Sequence, residues 1–284
     1  MLSSFIIALR EGLEAALIVG IVIAYVQKSE RKSGVIYVWL GVAAAVALSL
    51  GLGAILSFTS RSLSDRGTAI FAGVTSIAAV VLVTWMVFWM KQRSKYLRGD
   101  LVHKVDTAFL AGPLALAGVA FLAVIREGLE TSIFVYTNFK SLADPWGSSL
   151  GLVIGFALAI TVGYLIFKTS LTINISKFFT YTGIALIVVS AGVLAYGVHE
   201  FQELGYLPGA YSYAFDLSSV LGPHSLAGAV LSGAVGFDAS TSWLQLGIYA
   251  LYLTIVCGLY LDTRLTKATA RAYDSKVLKT LTDE

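Results

Sequence analysis

One charged pentapeptide occurs twice in an otherwise apolar sequence. The residues Arg10–Glu14 read Arg-Glu-Gly-Leu-Glu, and the same run recurs 116 positions later as Arg126–Glu130. On an α-helix, the three charged residues of each copy fall within an arc of about 100°, and the first and last are spaced to interact. Carboxylate oxygens suit hard cations such as Mg²⁺, Ca²⁺, Mn²⁺ and ferric iron. The pattern predicts a cation site in which four glutamates are ligands and two arginines orient them: Glu11, Glu14, Glu127, Glu130, Arg10 and Arg126.

The composition places these charges in a lipid bilayer. Of the 284 residues, 57% are hydrophobic and 13% are charged, whereas a soluble domain carries about 25% charged residues. An ionised residue at the centre of a membrane helix costs roughly 2.5–3.5 kcal/mol, so six unpaired ones would cost on the order of 15–20 kcal/mol. The motif charges are therefore expected to face each other and water. The single cysteine, Cys257, excludes a disulfide framework, a zinc–thiolate site and an iron–sulfur cluster.

Seven stretches are long and apolar enough to cross about 30 Å of hydrocarbon, which predicts an all-α membrane protein with seven transmembrane helices. They are Leu2–Val26, Val35–Phe58, Thr68–Met90, Ala108–Phe139, Ser148–Phe167, Phe178–Val198 and Trp243–Leu261. Lys and Arg number 15 on one side of the membrane and three on the other. The positive-inside rule then places the N-terminus outside and the C-terminus in the cytoplasm. The net charge of +3 reflects this topology, and no nucleic-acid partner is expected.

The two motifs also indicate an internal repeat. The first copy lies in a helix that runs inward and the second in a helix that runs outward, so residues 1–91 and 107–204 form an inverted 3+3 repeat. Such transporters bind substrate near the membrane midplane, between the repeats. Gly12 and Gly128 are expected to let the two motif helices approach closely. An external loop at 200–241 and a seventh helix at 243–261 complete a membrane domain of residues 1–263.

The sequence also predicts the character of two segments outside the seven spans. Within the external loop, Leu217–Phe237 is expected to form a short interfacial or re-entrant element, because Pro223, His224 and four glycines weaken it as a span. Residues 264–284 are expected to form a basic cytoplasmic tail.

A second acidic group lies where the sixth predicted helix ends. Its candidate residues for a mouth or accessory cation site are His199, Glu200, Glu203 and, in the external loop, Asp238. An acidic mouth concentrates cations, although a merely solvated helix end is an equal alternative. Glu203 stands where the HExxH zinc motif requires a second histidine. A metalloprotease is therefore not expected, and no other enzyme is expected either, because the chain offers no convincing nucleophile or zinc triad.

The doubled motif resembles the oxidase-dependent iron transporter family, whose members are the fungal high-affinity iron permeases and the bacterial EfeU-type iron permeases. The resemblance extends over about residues 1–263 and includes the His-Glu-Phe-Gln-Glu run and the Phe-Asp-Leu-Ser-Ser stretch at 215–219. It implies that iron is the transported substrate and that the motif glutamates bind it during passage. No redox centre is visible in the sequence, so no bound redox cofactor is expected. It also implies a multi-pass protein of the plasma or inner membrane.

The resemblance further implies that a partner oxidises Fe²⁺ to Fe³⁺ before transport. In the family this partner is an extracellular multicopper oxidase, or a periplasmic haem peroxidase with a cupredoxin-like protein. Fungal members carry an Asp-Ala-Ser-Glu motif near the last helix, where this chain has Asp238-Ala239-Ser240 followed by Thr241. Two alternatives stay open: a transporter or proton exchanger for another divalent cation such as Mn²⁺, and a non-transporting scaffold whose Arg–Glu pairs only join helices.

Overall fold

A computed structural model describes residues 1–28, 34–93, 105, 107–108, 111–141, 145–169, 175–218, 221 and 225–262. The elements, in chain order, are α1 (Leu2–Lys28), α2 (Gly34–Ser62), α3 (Asp65–Arg93), α4 (Pro113–Ser141), α5 (Pro145–Thr169), α6 (Ile175–Glu203), β1 (Tyr213–Asp216), α7 (Leu226–Val235), β2 (Ser240–Ser242) and α8 (Trp243–Leu261). This part of the chain is almost entirely helical, as predicted. The tail at 264–284 and most of the basic loop residues used to predict orientation lie outside the described residues.

Five of the described helices, α2, α3, α5, α6 and α8, are long and apolar enough to cross a membrane by length and composition. The motif helices α1 and α4 have 27 and 29 residues, and each carries three motif charges. Large apolar side chains such as Phe58, Trp85 and Trp146 are exposed on the helix surfaces. Apolar surface of this extent is stable in lipid, so the chain is a multi-pass membrane protein. The count of seven spans stays a prediction.

The helices pack in pairs drawn from the two halves of the chain. Helix α1 packs along α5, α4 along α2, and α3 along α6, while α8 lies against α6. The motif helices α1 and α4 also contact each other. A buried apolar cluster that includes Met86, Leu186 and Tyr260 fills the space where α3, α6 and α8 meet. This packing places both motifs at the centre of the helix assembly.

The fourth helix begins later than predicted. The apolar run suggested a start at Ala108, but α4 begins at Pro113. Gly112 has a φ of 112°, a backbone conformation that glycine adopts readily and that ends a helical path. Proline then fits the first turn of α4, because its missing N–H group has no helical acceptor there.

The segment between α6 and α8 has more secondary structure than the sequence predicts. Strands β1 and β2 form a small antiparallel sheet, which has too few residues to produce a recognisable alternating pattern. Between them, α7 starts at the N-cap Ser225 and ends at Gly236, which has a φ of 67°. A Cβ atom on Gly236 would collide with Gly192 of α6. Helix α7 falls within the predicted short element and packs closely on α6.

One residue of the His-Glu-Phe-Gln-Glu run has a structural role. Gln202 is buried; its Nε2 donates to the Pro208 carbonyl at 2.8 Å, and its Oε1 accepts from Ser242 Oγ at 2.9 Å. Ser242 is the N-cap of α8 and forms a capping box with Gln245. Gln202 therefore joins the end of α6 to the start of α8.

Candidate cation site

Carboxylates from both motifs meet inside the protein. Glu11 and Glu14 of α1 and Glu127 of α4 each offer one oxygen, and these three oxygens lie within 4.8 Å of one another. The three residues are 3%, 1% and 3% exposed, respectively. Ionised carboxylates this close repel each other unless a cation or protons lie among them. The three glutamates, named here the carboxylate cluster, have the geometry of a small oxygen-lined cation site.

Arg10 has a different partner from the one its spacing suggested. Its Nη1 donates to Glu11 Oε1 at 2.9 Å and also contacts Met86 Sδ of α3. The guanidinium carbon lies 5.9 Å from the ring centroid of Phe179 on α6. Because the side chain extends toward α3 and α6, the described contacts pair Arg10 with Glu11 and leave Glu14 directed to the carboxylate cluster.

In the second motif, the arginine holds the fourth glutamate. Arg126 Nε donates to Glu130 Oε1 at 3.0 Å and lies 3.9 Å from Glu127 Oε1. Its guanidinium carbon lies 3.8 Å from the ring centroid of Trp89. The structure therefore brings three of the four predicted ligands together and places Glu130 in an ion pair beside them.

The contacts of Met86 and Trp89 with the arginines were not expected from the sequence. An aromatic or sulfur side chain near the end of a membrane span is typical of packing or of the interface with headgroups. Their i,i+3 spacing on α3 is the one signal that both belong to a common face. Only the fold shows that this face is directed to the motif arginines.

The glutamates retain unused oxygens. The Oε2 atoms of Glu11, Glu14, Glu127 and Glu130 are buried and have no hydrogen-bond partner among the described residues. A buried carboxylate oxygen without a donor is unfavourable. These oxygens are therefore suited to accept a metal ion or a proton.

The motif glycines make different contacts from those predicted. A Cβ atom on Gly12 would lie 2.9 Å from Cβ of Ala159 on α5, and one on Gly128 would lie 2.8 Å from Cβ of Ser49 on α2. The expectation that the glycines bring α1 and α4 together is therefore wrong. They let α5 and α2 pack closely behind the motif helices, while α1 and α4 meet through the faces that carry the glutamates.

A mostly apolar cavity of about 680 Å³, named here the lateral cavity, reaches the carboxylate cluster. Glu11 and Glu127 are the charged residues of its lining, which comes from α1, α2, α4 and α5. Val46, Leu50 and Phe156 contribute to its apolar wall. The lateral cavity thus joins two site carboxylates to an apolar space between helices.

A second cavity of about 410 Å³, named here the outer cavity, is lined by residues of the α6–α8 segment and of the four helices α1, α4, α6 and α8. His199 and Asp238 line it, together with Ser3 of α1 and Asn138 of α4. Asn138 Nδ2 donates to Ser4 Oγ at 2.8 Å. The outer cavity therefore reaches the point where the ends of the two motif helices are hydrogen-bonded to each other.

The other two predicted mouth residues lie beside this cavity rather than in its lining. Glu203 Oε1 is 3.3 Å from His199 Nε2, and Glu200 lies next to Glu203 and His199 on the last turn of α6. Asp238 Oδ1 accepts a hydrogen bond from the Ser240 backbone at 3.2 Å. The structure thus brings His199 and Asp238 to one cavity and His199 and Glu203 to one pair.

Comparison with known proteins indicates the class of transporter. The family model described as the iron permease FTR1 family matches residues 1–273. The ferrous iron permease EfeU of Escherichia coli O157:H7 is 36% identical over 256 residues, which cover 89% of this chain and 92% of that protein. The ferrous iron permease EfeU of Yersinia pestis is 34% identical over 281 residues, which cover 98% and 99%. No solved structure matches the chain.

Proposed function

This chain belongs to the iron permease FTR1 family, and we propose that it imports iron across the cell membrane through its two REGLE motifs. The observation that carries this proposal is the convergence of three buried glutamates from two helices within 4.8 Å. The names of the relatives, ferrous iron permeases, support iron as the substrate.

The charge of the motifs favours binding of a multivalent cation. Four glutamates and two arginines carry two negative charges in excess. Arg10 and Arg126 each pair with one glutamate, so the excess falls on the carboxylate cluster. In a low-dielectric interior such an excess is unfavourable, and an iron ion offsets it.

We propose that the ion is carried as Fe³⁺, formed when a partner removes one electron from Fe²⁺. A compact set of carboxylate oxygens favours a hard, highly charged ion. The partner is an external oxidase, a haem peroxidase or a cupredoxin-like protein, as the family resemblance implies. Because the names of the relatives specify ferrous iron, both oxidation states must be offered separately in the test.

The outer cavity provides a route from outside. We propose that iron is first attracted by the mouth residues, enters past His199 and Asp238, and is released toward the carboxylate cluster when the Asn138–Ser4 hydrogen bond opens. This bond joins α4 to α1 at 2.8 Å, near the start of α1, which the proposed topology places outside. In this proposal the intact bond keeps iron in the outer cavity from reaching the cluster.

The contacts at two glycines support the proposed inverted repeat. A Cβ atom at Gly151 of α5 would collide with the Met1 carbonyl, and one at Gly41 of α2 would collide with the Ala117 carbonyl. Met1 and Ala117 stand nine positions before their respective motifs. The α1–α5 contact is therefore repeated in the α4–α2 contact, as a two-fold relation requires. We propose seven spans, with the N-terminus outside and residues 264–284 in the cytoplasm.

The decisive test is uptake of radiolabelled iron into proteoliposomes, with Fe²⁺ and Fe³⁺ offered separately. Glu14→Gln and Glu127→Gln keep the side-chain shape but remove charge from the cluster. Each should lower uptake at least about tenfold to a hundredfold, since the loss of a mere outer-shell partner of a metal ligand already costs that much. Asp65→Asn, an exposed acid on α3, serves as the matched control and should transport normally.

The outcomes separate the candidate functions. Normal iron uptake by both glutamate variants would contradict the carboxylate route. Uptake of manganese at the same rate as iron would favour the general divalent-cation transporter. Absence of any metal uptake by the wild-type chain, together with thermal destabilisation of both variants, would favour the scaffold.

A further inference from the structure

We propose that the lateral cavity is a binding site for lipophilic ammonium ions, which place the charged head at Glu11 and Glu127 and the apolar chain between the helices. Its consequence for transport rests on the proposed function, because both glutamates belong to the carboxylate cluster. Binding itself does not depend on whether the chain carries iron.

The size and lining of the lateral cavity fit an amphipathic small molecule. Its volume of about 680 Å³ lies within the range of small-molecule sites, about 300–1,000 Å³. Apolar residues such as Val46, Leu50 and Phe156 form most of the wall. Such sites hold the ligand by apolar contact and orient it with a few polar groups.

The polar groups at one end of the cavity are two carboxyl groups, each with one oxygen that accepts no hydrogen bond from the described residues. Glu11 and Glu127 are each 3% exposed. One oxygen of each carboxylate is directed to its own arginine, at 2.9 Å for Glu11 and 3.9 Å for Glu127. The other oxygen, Oε2, is buried and has no hydrogen-bond partner in the part of the chain that the structure describes. A primary ammonium group offers three N–H donors and a positive charge, so it can bind the free oxygens of both carboxylates.

The cavity borders the surface that faces lipid. Leu50 and Val46 line it and are 70% and 46% exposed. A hydrated metal ion is excluded from an apolar passage of this kind, since desolvation is too unfavourable. The alkyl chain of an amphiphile in the bilayer stays in an apolar environment throughout, and burial of that chain offsets part of the desolvation cost of its ammonium head. The cavity therefore selects ligands by the combination of charge and chain.

Two glycines of α2 allow a matched test. A Cβ atom on Gly53 or on Gly51 would meet no atom within 4 Å, so a larger side chain fits at either position without a collision at its base. Gly53 lines the lateral cavity, whereas Gly51 does not. Gly53→Phe should fill the cavity, and Gly51→Phe adds the same ring outside it.

The experiment measures binding of ¹⁴C-labelled n-octylammonium to the full chain in lipid nanodiscs, without metal. We expect saturable binding that Gly53→Phe weakens about tenfold or more by steric exclusion, while Gly51→Phe binds as the wild type does. Unlabelled n-octanol should not displace the label, because it lacks the charge. Glu127→Gln should also weaken binding.

Two results would overturn the proposal. Full displacement by n-octanol would show that an alkyl chain of any kind fills the cavity, and equal binding by Gly53→Phe would place the ligand elsewhere.

The effect on transport is measured separately. In proteoliposomes, n-octylammonium should inhibit iron uptake by the wild type and by Gly51→Phe, and inhibit Gly53→Phe about tenfold less effectively because the ring excludes it. Binding without inhibition would preserve the site and contradict the route of iron through the cluster. Uptake without octylammonium binding would contradict the site and leave the proposed function intact.

Discussion

The guanidinium of Arg126 lies over the indole ring of Trp89, with 3.8 Å between the guanidinium carbon and the ring centroid. The same guanidinium forms an ion pair with Glu130, in which Arg126 Nε and Glu130 Oε1 are 3.0 Å apart. Helix α3 thus holds the arginine of the second motif in place beside the glutamates of α4. We therefore expect Trp89 to act on the carboxylate cluster through Arg126, as a positioning residue.

Loss of the Trp89 ring should impair transport. A cation–π contact that is partly shielded from water is worth about 1–2 kcal/mol, so Trp89→Ala should lower the initial rate of iron uptake about tenfold, and Trp89→Phe should retain most of it. Trp85→Ala is the control, because Trp85 lies one turn earlier and is 68% exposed. Equal loss in Trp85→Ala would show that the tryptophans serve only to anchor α3 in the bilayer.

A side chain at Gly128 should destabilise the α4–α2 contact. Its Cβ atom would lie 2.8 Å from Cβ of Ser49, and overpacking of this kind costs about 1–3 kcal/mol. Gly128→Ala should therefore lower the melting temperature of the purified protein in detergent. Gly118→Ala, on the same helix but with open space around the new atom, should not.

A second substitution tests the cause of that destabilisation. Ser49→Gly removes the side chain that Gly128→Ala would meet, so the double variant should recover most of the lost melting temperature. A double variant that melts as low as Gly128→Ala would contradict the α4–α2 collision as the cause.

The sequence predicted most helices of this fold because a membrane helix is a long, uninterrupted run of apolar residues. It also predicted that the motif charges face one another inside the protein, since Arg10, Glu11 and Glu14 are polar residues in a setting where unpaired charge is too unfavourable to persist. The periodicity of a helix determines which side chains share a face. These are local properties, and a single sequence contains them.

The partners of those faces could not be predicted in the same way. Gly12 contacts Ala159, and Arg10 reaches Met86, through helix pairs that are distant in the chain. A glycine has no side chain to indicate its neighbour, and an arginine side chain is long enough to reach several helices. Three glutamates meet in the cluster while the fourth, Glu130, pairs with Arg126, and this arrangement depends on contacts between distant helices. Spacing alone therefore predicted four equivalent ligands.

Glu130 should influence iron affinity indirectly. It lies outside the carboxylate cluster and forms an ion pair with Arg126. Glu130→Gln removes the negative charge of this pair. Arg126, which already lies 3.9 Å from Glu127, then competes with iron for the Glu127 carboxylate. The iron concentration at half-maximal uptake should rise about tenfold, a cost of roughly 1.4 kcal/mol, with the maximal rate largely retained. Glu130→Asp should restore affinity in part. A maximal rate as low as that of Glu127→Gln would show instead that Glu130 is a direct ligand.

In the proposed topology a single span, α8, separates the external loop from the tail, so the two lie on opposite sides of the membrane. Cys257 is the only cysteine in the sequence, so Cys257→Ser provides a background for single labels. Tyr211→Cys replaces a side chain that is 90% exposed in the segment before β1, and a membrane-impermeant maleimide should label it in intact cells. Lys276→Cys, in the predicted tail, should react only after permeabilisation. Labelling of Lys276→Cys in intact cells would contradict the proposed topology. Labelling of both variants in intact cells would indicate an even number of spans between the two positions.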